Sequence, residues 1–86
     1  MLGKPYTMSN TLPLAELKPG EHGTIARLKV DEALYQRLSA MGLRVGRPIQ
    51  VIRRAAISGP IQIRVGFTDL ILRRTDALNI CVSPSL

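Results

Sequence analysis

The chain has 86 residues, 45% of them hydrophobic and 21% charged, with 12 Lys and Arg against 6 Asp and Glu for a net charge of +6. That length holds a single domain, and the balance is too apolar and too weakly charged for disorder to be expected. No apolar run approaches the roughly 18 residues of a membrane-spanning helix, and the lone Cys81 excludes both an internal disulfide and a cysteine-pair zinc site.

Residues 1–11 show little periodicity and no apolar stretch of the secretory type, so they are expected to be a flexible leader to a cytoplasmic domain spanning 12–86. Leu12, Leu14, Ala15 and Leu17 form a short apolar plug, which Lys18, Pro19 and Gly20 end in a tight turn. Over 22–30 the residues Thr24, Ile25, Leu28 and Val30 suit a strand. Asp31 is then placed to cap a helix whose Leu34, Leu38 and Met41 fall on one stripe and pack it inward, and Gly42 stops it.

A turn around Gly46 leads into a strand over 48–54, in which Ile49 and Val51 point inward. Ser58, Gly59 and Pro60 make a loop, and Ile61, Gln62, Ile63, Arg64, Val65 alternates apolar and polar without error. A hairpin connection over 66–69 feeds a strand over 70–73, a capped turn at Thr75, Asp76 and Ala77, and a last strand over 79–82 that includes Cys81. Five short strands at this spacing predict a mostly β fold, a small closed barrel with one short α-helix inserted after the first strand.

Two segments carry a family pattern. Arg37, Leu38, Ser39, Ala40, Met41, Gly42, Leu43, Arg44, Val45, Gly46 resembles the "RL, two residues, MGL, two residues, G" block of the FeoA family, and residues 72–77 resemble its "LRR, one residue, E, A" signature, with Asp76 in place of Glu. Ser58 and Gly59 depart from the Gly and Asp that the family often has before Pro60. The resemblance covers about 12–82. It implies an SH3-like barrel that works beside FeoB, a membrane permease with a cytoplasmic GTPase domain, as a regulator or assembly factor of bacterial ferrous iron uptake. Any membrane contact would then come through that partner.

No catalytic constellation is legible. One His, one Cys far from it in sequence and the adjacent pair Asp31 and Glu32 supply no nucleophile with its base, and no phosphate-cradling loop is present. The chain is read as a binding module with no required cofactor, and the GTP chemistry implied by the resemblance belongs to the partner. Arg37, Met41, Arg44, Arg73 and Arg74 are the expected partner-binding residues. Arg37 lies beside the apolar stripe, where its stem packs and its fork faces a carboxylate.

Other readings follow from single features. His22 beside Glu21 gives at best part of a divalent site, so ferrous iron or zinc is expected there only as a bridge between two chains. The excess of arginine fits an anionic partner, but Tyr6, Tyr35 and Phe67 provide no array for stacking bases, so nucleic acid is the runner-up and is not expected. A metal-responsive role like that of the similar C-terminal barrel of iron-dependent repressors is a further alternative. Unpaired strand edges would also allow a weak homodimer.

Overall fold

The alternation read in residues 61–65 becomes a strand with Ile61, Ile63 and Val65 buried and Arg64 exposed. The computed structural model describes residues 11–56 and 58–85, so the expected leader lies outside the described residues apart from Thr11. Its strands are β1 (Leu12–Pro13), β2 (His22–Leu28), β3 (Pro48–Arg54), β4 (Ile61–Val65), β5 (Thr68–Leu72) and β6 (Ile80–Pro84). Helix α1 (Glu32–Ala40) joins β2 to β3, and α2 (Arg74–Ala77) joins β5 to β6. The strands form one antiparallel sheet in the order β1-β6-β2-β3-β4-β5.

Period-two patterning decides which face is inside. Ile49, Val51, Ile61, Ile63, Val65, Leu70 and Leu72 all lie in the core, and β4 registers Ile63 between Val51 of β3 and Leu70 of β5. Leu14, Ala15 and Leu17 of the plug are buried with them, around a 3₁₀ turn at Leu14–Glu16. Arg54 is half-buried and donates from its guanidinium to the Leu17 carbonyl, which ties the plug to β3. Cys81 is a half-buried free thiol on β6.

The turns follow their residue chemistry. Pro19 and Gly20, the latter at φ +92°, build a type II turn in which Glu21 N–H donates to the Lys18 carbonyl at 2.9 Å. At the start of α1, the Asp31 carboxylate accepts from Leu34 N–H at 2.8 Å. Replacing Asp31 by Ala is therefore expected to cost about 0.5–2 kcal/mol in a denaturant titration, and an unchanged midpoint would show that water satisfies the helix end equally well. At the other end Gly42 sits at φ +95°, with Gly42 N–H bonded to the Ser39 carbonyl and Leu43 N–H to the Leu38 carbonyl, both at 3.0 Å. These are the two bonds of a Schellman cap, and the buried pair Leu38 and Leu43 supplies its apolar contact.

Two expectations need correction. The sheet has six strands, because Leu12 and Pro13 also pair with Val82 and Cys81 of β6. Two residues are too few to show a period, and one of them is a proline. Nor does the sheet close into a barrel, since no ladder joins β1 to β5 among the described residues. Pro13 brings no N–H for a further strand, and β5 ends the sheet beside α1. Among the described residues, no helix is long and apolar enough to cross a membrane.

Candidate partner-binding groove

The free edge of the sheet is set by the hairpin before it. Val65 pairs with Thr68 across the two-residue loop Gly66 and Phe67, and Gly66 has φ +61° while Phe67 does not have a positive φ, the signs of a type II′ turn. Thr68, Leu70 and Leu72 thus exchange backbone bonds with β4, and alternation turns the N–H and C=O of Asp69 and Ile71 away from it. Among the described residues, no other strand pairs with β5.

Alongside this edge, β5 and α1 leave a groove of about 400 Å³. Helix α1 contributes Leu34, Arg37 and Leu38 with its cap residue Met41, the sheet edge Asp69, Leu70, Ile71 and Leu72, and α2 Asp76 with its cap residue Arg73. It continues into a hollow of about 280 Å³ bounded by Asp31, Ala33, Leu34, Arg37, Arg73 and Asp76. The groove therefore has apolar walls, a strip of unpaired backbone and charged residues of both signs.

Those charges differ in how far they are committed. Asp69 accepts from Arg64 Nε at 2.7 Å and Nη2 at 3.0 Å, and from Gln62 Nε2 at 3.0 Å. Hydrogen bonding from Arg64 above all holds its carboxyl below the ordinary range, against a smaller cost of desolvation. This is the only ion pair among the described residues, so neither Arg37 nor Arg73 pairs with a carboxylate among them.

Of the five residues expected to bind a partner, the fold brings three together. Arg37, Met41 and Arg73 line the groove. Met41 was expected to pack inward but stays 38% exposed, because the helix ends at Ala40 and Met41 is its cap residue. Arg44 is elsewhere, its Nε donating to the Ser39 carbonyl at 3.2 Å at the end of α1. Arg74 is half-buried and its Nε is shielded without a hydrogen-bond partner among the described residues. Leu34, Ile71 and Asp76 are groove residues that the sequence did not single out. Ile71 had a signal, since three consecutive apolar residues in a strand must send the middle one outward, and it is 73% exposed.

His22 is exposed at the first position of β2, while Glu21 Oε1 accepts from Lys18 N–H at 2.7 Å and so closes the preceding turn. Among the described residues no three His, Cys, Asp or Glu side chains cluster as metal ligands would.

The FeoA domain family model matches residues 12–84. The chain belongs to the FeoA family. A crystal structure of FeoA described as an iron uptake regulatory protein is 31% identical, with a TM-score of 0.78 over 87% of this chain and 99% of its own. FeoA from Chlorobium tepidum is 29% identical, with a TM-score of 0.83 over 87% of this chain and 71% of its own. FeoA from Stenotrophomonas maltophilia, described as a prokaryotic SH3 domain protein and complexed with zinc, shares the fold at 23% identity and a TM-score of 0.71, over 84% of this chain and 93% of its own. No curated protein sequence is significantly similar to the chain. The FeoA fold here is thus SH3-like, a mostly β antiparallel sheet that does not close between β1 and β5.

Proposed function

We propose that this FeoA chain is a cytoplasmic, non-enzymatic accessory protein of bacterial ferrous iron uptake that regulates or assembles the FeoB permease by binding its GTPase-bearing cytoplasmic part. The observation that carries the reading is the groove between α1 and the free edge of β5. Its unpaired Asp69 and Ile71 backbone can take up an extended segment, Leu34 and Met41 can cover apolar side chains, and Arg37 and Arg73 can pair with carboxylates. Each of these features serves recognition of a peptide surface, and none supplies a nucleophile or a base.

The test is retention of this chain by purified FeoB cytoplasmic domain at physiological salt. The double variant Arg37→Glu, Arg73→Glu is expected to bind at least about tenfold more weakly, because reversed charge meets the partner's carboxylates. Both arginines are exposed, so an unchanged circular dichroism spectrum separates this loss from unfolding. Equal binding by the double variant would move the contact off the groove. No binding by the parent chain would remove the FeoB reading, and displacement by RNA would favour the nucleic-acid reading in its place.

A further inference from the structure

We infer that the two adjoining turns at residues 42–47 and 66–67 form a tip that docks directly on an anionic lipid surface. The turns adjoin at Arg47, whose guanidinium lies 4.0 Å from where a Cβ at Gly42 would be and 3.7 Å from where one at Gly66 would be. At the hairpin end Phe67 is wholly exposed, at 106% of its reference area, and Val45 is 62% exposed in the other turn. A type II′ turn asks for glycine at its first central position and makes no demand for an aromatic at its second. Nothing in the fold therefore accounts for phenylalanine there, and a fully projecting ring is costly in water.

The charge around the tip identifies the occupant. Within the two turns, residues 42–47 and 66–67, the sequence holds two arginines, Arg44 and Arg47, and no Asp or Glu. The first carboxylate beyond the hairpin, Asp69, is already neutralised by Arg64. Arg44 and Arg47 are exposed in the same turn as Val45. A projecting aromatic flanked by permanent cations suits a surface that offers phosphates above an apolar layer: the arginines pair with headgroups while the ring enters the acyl boundary. The sequence alone led us to expect membrane contact only through a partner, and the tip adds a direct one.

The inference stands apart from FeoB binding, and so does its test. The full chain is mixed with vesicles of phosphatidylcholine, with or without phosphatidylglycerol, and sedimented over a range of salt. Binding is expected only with the anionic lipid and weakens as salt rises. Phe67→Ala should lower the partition coefficient about tenfold, and the double variant Arg44→Gln, Arg47→Gln by a similar or larger factor. The chain contains no tryptophan, so Phe67→Trp places a single reporter whose emission should shift to the blue on the anionic vesicles. No binding to anionic vesicles, binding that Phe67→Ala leaves unchanged, or an unshifted tryptophan would overturn the inference. Loss of FeoB binding in Phe67→Ala without any vesicle binding would do so too, by assigning the tip to a protein contact.

Discussion

Truncating Ile63 to alanine is expected to lower the free energy of unfolding by about 2–5 kcal/mol. Ile63 is fully buried, and its neighbours across β3 and β5, Val51 and Leu70, are core residues as well. Deleting three carbons there removes apolar contact on both sides, and two hydrogen-bonded strands cannot move in to fill the space without breaking register. For a domain this small, which sits toward the low end of the ordinary 5–15 kcal/mol range, the loss is a large part of the total. Urea denaturation followed by circular dichroism measures it. A cost below about 1 kcal/mol would mean that the sheet relaxes over the site, and that the packing around β4 is looser than its complete burial implies.

The second large effect is expected at Gly42. Its φ of +95° is one that a β-branched residue adopts only with strain. A Cβ would meet nothing closer than Val65 Cγ1 at 3.8 Å, so the penalty for Gly42→Val lies in the backbone conformation and is expected to be about 1–3 kcal/mol. Asparagine tolerates the left-handed region better, so Gly42→Asn should cost distinctly less. Equal costs for the two variants would show that contact with Val65 and Arg47 governs the site. Because Gly42 closes the cap that seats Leu38 and Leu43, the valine variant should also weaken partner binding at the groove, where Leu38 and Met41 stand in the last turn of α1 and at its cap.

Much of the local structure was legible because its signals are short-range. The alternation of Ile61, Ile63 and Val65, the Asp31 cap, the Pro19 and Gly20 turn and the Gly42 stop each depend on neighbours within a few residues, and each appears as read. The family was legible for the same reason, since the block from Arg37 to Gly46 is contiguous. Strand β1 was not, because two residues carry no period and their pairing with β6 spans nearly the whole domain.

The candidate site was legible only in part. Arg37 and Arg73 stood out by type, yet nothing in their spacing says that one groove holds both, or that Arg44 and Arg74 are drawn aside into a helix end and a half-buried turn. Sequence by itself determined which strand residues turn inward, where the chain turns, and that this is a FeoA domain, because hydrophobic period, glycine and proline stereochemistry and a contiguous motif are local properties. Tertiary structure alone decided that the sheet stays open, that its free edge at β5 faces α1, and that the turn holding exposed Phe67 adjoins the turn holding exposed Val45. Those depend on which distant strands find each other, and the burial of apolar faces, which drives that choice, is a property of the whole chain.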